Sequence, residues 1–320
     1  MIDNFITVRD CICYNAFVFM SDADTVGGIG HVWVDSCGLF AFSKIFSFAQ
    51  NLEKIQIINN DLTFGVWTDD LTAAARYWRE NGVVLEYKAG SGIWFQDNLV
   101  FGAKYGILIN GPASGAVQPV VLMDVSGNSF DQVRYGIYVQ GALGGLTQTT
   151  IVDNRFLCFN TTDLTLPGYA IYFNNTETTM DLTMTVSGNI FGQTAGHHIA
   201  IDTPATIRLD MTGNHMELCG FGQPTTANYA NLALNAPNAT VTISGCHLKG
   251  LSAQKAAAIT FGVLSYSTNT LVMSAVEAIN HQYAVTGAFG TMCAAACSSI
   301  GTLGLNVTGA TPQVAAVVWN

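Results

Sequence analysis

MDVSGNSFDQVRYGIYV, Met123–Val139, is the stretch whose reading decides the fold. Met123 and Val125 alternate with Asp124, which places two apolar side chains on one side of an extended chain and a carboxylate on the other. Gly127 turns the chain, Asn128 follows, Phe130 is apolar again, and Tyr135–Val139 forms a second alternating run. The unit returns, with drift, along the chain. With Asn128 as reference, the equivalent positions are Cys11, Cys37, Asn60, Asn98, Asn154, Asn189, Asn214, Cys246 and Val276. Most intervals fall between about 23 and 35 residues, the range of solenoid repeats. Three residues before the reference stand Val8, Val34, Ile57, Phe95, Val125, Ile151, Val186, Met211, Ile243 and Met273. Two residues after it the column is again almost wholly apolar, and the residue just before it is always Asp, Ser, Asn, Gly or Ala, which is turn chemistry.

Strands of period two, stacked at this repeat length, predict an all-β chain: a right-handed parallel β-helix (solenoid) of about ten rungs, spanning roughly 45 Å at the strand spacing. The reference column becomes an internal polar ladder in which stacked Asn side chains bond each other along the axis. Cys at its two ends is compatible, because a free thiol packs as a small hydrophobe. Residues 1–285 read as the β-helix domain. Within it 68–82, TDDLTAAARYWRENG, interrupt the strands and predict one short helix near 69–80, capped by Thr68 or Asp69 and ended by Gly82. Residues 286–320, rich in Ala, Gly, Thr and Val, read as a final rung, a cap or an oligomer contact. No helix covers Asp3–Val8, so a covering chain or domain is expected at that end of the solenoid.

The chain has 320 residues, 49% hydrophobic and 11% charged, with a formal net charge of −10 and 12 Lys plus Arg. Such a balance disfavours nucleic acid, whose binding depends on basic patches. It leaves neutral or anionic glycans as partners. No apolar run reaches the ~20 residues of a membrane span. The N-terminus lacks the pattern of a signal peptide, so the chain is expected to be made without ordinary secretion or to be a fragment. Of the eight Cys, Cys11, Cys13, Cys37 and Cys246 fall on inward columns and read as buried thiols; Cys293 and Cys297 are close enough in sequence to pair or to share an ion.

The V-S-G-N-x-F turn (Val125–Phe130, Val186–Phe191, with a variant at Ile243–Leu248) resembles the right-handed, pectate-lyase-like β-helix superfamily. Asp69-Asp70-Leu-Thr-Ala-Ala followed by Gly82–Gly90 is similar to the helix and strand that open bacteriophage tailspike β-helices. The resemblance implies a homotrimer on a virion (otherwise an extracellular protein) that binds a host surface polysaccharide and in many members cuts it. Here the Asp-Asp motif follows three rungs instead of preceding the first. The signature blocks of polygalacturonases and pectate lyases are missing. A stand-alone polysaccharide lyase or glycoside hydrolase of this fold, and a structural or adhesive β-solenoid, are the alternatives.

Outward positions four before the reference include Trp33, Trp94, Asp124 and Asp210, with Asp35 and Gln96 pointing the same way two residues later. Trp94 and Asp124 belong to consecutive rungs and are expected as lateral neighbours. Tyr138 and Tyr172 are outward and adjacent on the second strand. Exposed rings beside a carboxylate suit a sugar, because the ring stacks and the acid binds hydroxyls; the same rows would equally pack between subunits. Substrate contacts are therefore expected at Trp33, Trp94, Gln96, Tyr138 and Tyr172. Glycoside hydrolysis needs two carboxyls, ~5 Å apart for retention or ~6.5–9.5 Å for inversion, and the pair to name is Asp124 with Asp131. Asp97 and Asp153 occupy the turn slot and read as structural, while Glu80 and Glu86 flank the inserted helix. His197 and His198 face opposite ways, and His215 with Glu217 has no third ligand, so neither a metal nor a cofactor is expected.

Overall fold

A computed structural model describes residues 5–21, 30–48, 53–64, 80–88, 90–111, 120–141, 148–158, 166–176, 178, 181–221, 228–250, 259–309, 312–315 and 317–319. It is a parallel β-helix, with long parallel sheets that nearly close round one axis. The first sheet has twelve strands, from Phe5–Arg9 through Gly90–Gln96, Val120–Ser126 and Gln148–Val152 to Gln313–Ala315, each paired in parallel with the next rung. The other strands form two ladders. Short strands such as Ser129–Asp131 and Arg155–Cys158 follow the reference turn directly; longer ones such as Tyr105–Asn110, Tyr135–Gly141, Tyr169–Asn175, Ile199–Asp202 and Asn228–Asn235 come after a second corner.

The pairing follows the register of the repeat. Phe95, Val125, Ile151, Val186, Met211 and Ile243 are partners in succession and are all buried. Phe130, Phe156 and Phe191 stack inside the helix at centroid distances of 4.9 and 5.1 Å. The residue before each reference position takes a left-handed φ: 55° at Asp97, 69° at Gly127, 55° at Asp153 and 50° at Ala275. That conformation turns the chain from the first ladder into the second and favours Gly, Asn and Asp. Both Asp97 and Gly127 hold this left-handed turn conformation, and a Cβ on Gly127 would also meet the Asp97 carboxylate.

Past each turn the Asn side chains form one buried ladder. Asn128 Oδ1 accepts from the backbone N–H of Asn98 (2.9 Å) and from its Nδ2 (3.0 Å). Asn128 Nδ2 in turn donates to Asn154 Oδ1 (2.9 Å), and the motif repeats from Asn60 to Asn214. It fades where the column changes: Asn214 Nδ2 reaches Cys246 Sγ only at 3.7 Å. Cys246→Asn restores an oxygen acceptor there. It is expected to raise unfolding free energy by about 1 kcal/mol, the net worth of a well-made hydrogen bond, readable as a higher urea midpoint at unchanged slope.

Of the expected helix, residues 68–79 lie outside the described residues, and Glu80 and Asn81 are helical. Beyond residue 285, Thr291–Ala295 and Gln313–Ala315 extend the first sheet, with Cys297 buried in the reference column. Cys293 stands on the outer side, its thiol 3.7 Å from Gln313 Oε1, so the two Cys point apart and do not pair. On the first rung Phe5, Ile12 and Tyr14 are exposed, while Cys11 and Cys13 are only partly buried.

Candidate functional site

Two surfaces carry the expected site residues. On the first sheet Trp94 and Asp124 are register partners, and Gln96 Nε2 donates to Asp124 Oδ2 at 3.2 Å. The rings are already occupied. Lys54 Nζ lies 4.4 Å from the centre of the Trp94 ring, and a Cβ on Gly92 would meet the same indole at 2.5 Å. The Arg9 guanidinium covers Trp33 at 3.9 Å and also pairs with Asp35. In this row each indole carries a cation over one face, while Trp33 Nε1 and Asp124 Oδ1 are buried without a hydrogen-bond partner. Asp131 lies past the Asn128 turn, in the ladder paired with Phe101 and Leu157, while Asp124 is on the first sheet.

The third ladder differs. Tyr105, Tyr135 and Tyr169 stand in one outward column, Tyr138 and Tyr172 in the next. Their rings stack along the axis: Tyr105 on Tyr135 at 5.2 Å, Tyr135 on Tyr169 at 5.7 Å, and Tyr138 on Tyr172 at 5.0 Å with 5° between planes. Inside such a stack each ring covers its neighbour's face. At the next rung the partner of Tyr172 is Ala200, and after it Ala233. The stack therefore stops at Tyr172, and a cleft of about 240 Å³ opens there, lined by Tyr169, Tyr172, His197, Ala200, Asp202, Ala233, Asn235 and Tyr266 among others.

Beside the rings runs a polar rail in matching register: Asn110, Gln140, Asn174, Asp202 and Asn235. Gln140 Nε2 donates to Asn110 Oδ1 (3.0 Å), and Asn235 Nδ2 donates to Asp202 Oδ1 (2.9 Å). Burial raises the Tyr105 and Tyr172 hydroxyls to about 12, so both remain proton donors at neutral pH. The backbone N–H of Ala230 donates to His197 Nδ1 at 2.9 Å, which leaves the proton of the neutral ring on Nε2. Burial holds the ring neutral, lowering it to about 4. The cleft thus offers an aromatic platform, an apolar floor, hydroxyl and imidazole donors, and one carboxylate.

His197 lines the cleft, whereas the adjacent His198 is fully buried. His215 pairs with Glu217 at 2.7 Å, and among the described residues no group of three His, Cys, Asp or Glu is placed to hold a metal ion. No described helix is long and apolar enough to cross a membrane. No protein family, curated protein or solved structure matches the chain.

Proposed function

We propose that this β-helix binds an extended polysaccharide along its tyrosine ladder, in the manner of a virion tailspike that recognises a host surface glycan as a trimer. The observation that carries the reading is the end of the stack, where Tyr172 borders a cleft floored by Ala200 and Ala233 and edged by the Asp202–Asn235 pair. At about 240 Å³ the cleft is smaller than the ~300–1,000 Å³ of enclosed small-molecule sites. It suits one segment of a chain that continues along the rings and the amide rail. The rail's amide donors and acceptors match sugar hydroxyls, and the end ring, Tyr172, matches the apolar face of a pyranose.

Binding is favoured over cleavage. Asp202 is the one carboxylate among the described residues that line the cleft, and glycoside hydrolysis uses two. Asp124 and Asp131 stand elsewhere, on different ladders. The test is retention of the protein on capsule and lipopolysaccharide from candidate hosts, with chain length of the glycan followed in parallel. Tyr172→Ala is expected to weaken binding about tenfold, the equivalent of ~1.4 kcal/mol for one stacked ring, without shortening the glycan in either protein. Unchanged binding by Tyr172→Ala would sink the reading, and glycan shortening by the parent chain would move it to the enzymatic alternative.

A further inference from the structure

The far end of the same ladder carries charge. Lys104 and Arg134 occupy equivalent positions on consecutive rungs, each just before its tyrosine: Lys104 Nζ lies 5.1 Å from the Tyr105 ring centre and the Arg134 guanidinium 5.2 Å from that of Tyr135. The backbone joins them, since Tyr135 N–H donates to Lys104 O at 2.8 Å. Arg134 is anchored through Nε, which donates to Pro167 O at 2.9 Å. Three basic side chains of this acidic molecule find acids: Arg9 with Asp35, Lys44 with Glu86, Lys249 with Glu217. No carboxylate among the described residues pairs with Lys104 or Arg134. Two like charges side by side across a parallel pair are destabilising, and here they sit half-buried against rings. The proximity and the burial together lower the Lys104 ammonium below its ordinary range, burial first and Arg134 second.

We propose that Lys104 and Arg134 form an anion subsite, so that the glycan held by this ladder carries an acidic substituent (carboxylate, sulfate or phosphate) on a sugar that lies along the outer edges of Tyr105 and Tyr135. The two ends of the ladder then read opposite chemistry. The Asp202 end repels an anion and accepts a neutral or amino sugar; the Lys104 end supplies the counter-charge that the fold leaves open. Three rung spacings separate Tyr105 from Ala200, roughly 14 Å at the strand spacing, so acidic and non-acidic sugars a few units apart would occupy the two ends at once. The inference rests on the reading of the ladder as a glycan platform.

The test uses the whole chain on dextran, dextran sulfate and carboxymethyl-dextran, which share one backbone and differ in substituent. Despite its net charge of −10, the protein is expected to bind one or both acidic polymers at least about tenfold more tightly than dextran, with an affinity that falls as salt rises. The two polymers separate sulfate from carboxylate. The Lys104→Gln/Arg134→Gln double variant is expected to bind all three alike, and to melt at or slightly above the parent temperature because the repulsion is gone. Equal binding of dextran and both acidic polymers by the parent, or acidic-polymer binding undiminished in the double variant, would overturn the proposal. A double variant that melts far below the parent would overturn it too, by making the pair structural. Tyr172→Ala separates the two readings. If it leaves every affinity unchanged while the double variant loses the acidic polymers, the platform reading fails and the anion subsite stands. The converse pattern keeps the platform and removes the subsite.

Discussion

Asn128→Asp is expected to leave the solenoid less stable at pH 7 than Asn128→Ala, although aspartate is the closer match in shape. Asn128 is 1% exposed, and its Nδ2 donates to Phe95 O (2.8 Å), Ser126 O (2.9 Å) and Asn154 Oδ1 (2.9 Å). Alanine deletes those bonds and leaves the Asn98 donors without their acceptor, a loss of about 3–5 kcal/mol for a buried network. Aspartate keeps the acceptor but sets an oxygen, and at neutral pH a charge, against three oxygens. A buried unpaired charge costs more than a missing bond, on the order of 5 kcal/mol or above. Those surroundings raise the introduced carboxyl's folded pKa above its unfolded ~3.9. The folded state then binds the proton first, so the deficit relative to the parent shrinks as pH falls through the folded pKa towards ~3.9. Urea unfolding of parent and both variants at pH 7 and pH 5 checks this. Equal stability of the Asp and Ala variants at both pH values would count against the ladder as described.

The same ladder explains what could be read in advance. Asn at the reference position is forced by a geometric identity: each rung repeats the turn, so each side chain meets its equivalent about one strand spacing away. Column character therefore survives in the sequence, and the pairing of Phe95, Val125, Ile151 and Val186 could be aligned without coordinates. Cys37 and Cys246 fit because the column needs a small inward side chain even where the amide bonds run out. Residues 286–320 were harder. Ala294 and Cys297 keep the column, but the polar and aromatic markers are gone, and the rung closed by Thr291–Ala295 looks like low-complexity sequence.

The candidate surface was half legible. Tyr138 and Tyr172 could be placed because strict alternation sets their direction from a nearby turn. Ala200 and Ala233 carry no chemical marker of their own, and Asp202 and Asn235 could not be lined up with the rail, because the interval between the reference Asn and the third ladder is short in the Asn128 and Asn189 rungs and longer in the Asn154 and Asn214 rungs. A fixed offset loses the column across those insertions. A residue-by-residue signal did exist: Gln140, Asn174, Asp202 and Asn235 each stand two residues beyond Tyr138, Tyr172, Ala200 and Ala233. On the first sheet, alternation placed Trp33 and Trp94 outward. It could not show that Arg9 and Lys54 fold over them, since that depends on side-chain rotamers across rungs.

Lowering the pH from 7 to 5 is expected to remove about 4 kcal/mol of stability through His198 and His281, with a further share from the half-buried His197, before ordinary carboxylates titrate. His198 and His281 are both buried in the protein interior. His198 Nε2 donates to Gly192 O at 2.9 Å, and its Nδ1 accepts from Asn231 Nδ2 at 2.9 Å, a pattern that only the neutral ring satisfies. His281 Nδ1 meets the Thr260 hydroxyl at 3.2 Å, and the backbone of Leu248 and Thr260 faces the ring. Burial is the main cause that lowers His198 to about 4 and His281 to about 3; backbone carbonyls, and Glu217 near His198, offset only part of it. Both folded values lie below the unfolded ~6.5. Below pH 6.5 the unfolded chain binds protons that the folded chain refuses. The contribution is therefore whole above that pH and is lost progressively as pH falls towards the folded values. At pH 5 each ring has given up roughly 2 kcal/mol. Chemical unfolding at pH 7, 6 and 5 measures the slope. Replacing His281 by Gln is expected to lower stability at pH 7 yet to take roughly a third to a half of the slope away, because one of the three depressed titrations (His197, His198 and His281) is removed. Stability that stays level from pH 7 to 5 would mean that the rings are hydrated or paired in solution. The solenoid would then lose the feature that makes its interior, rather than its surface, sensitive to acid.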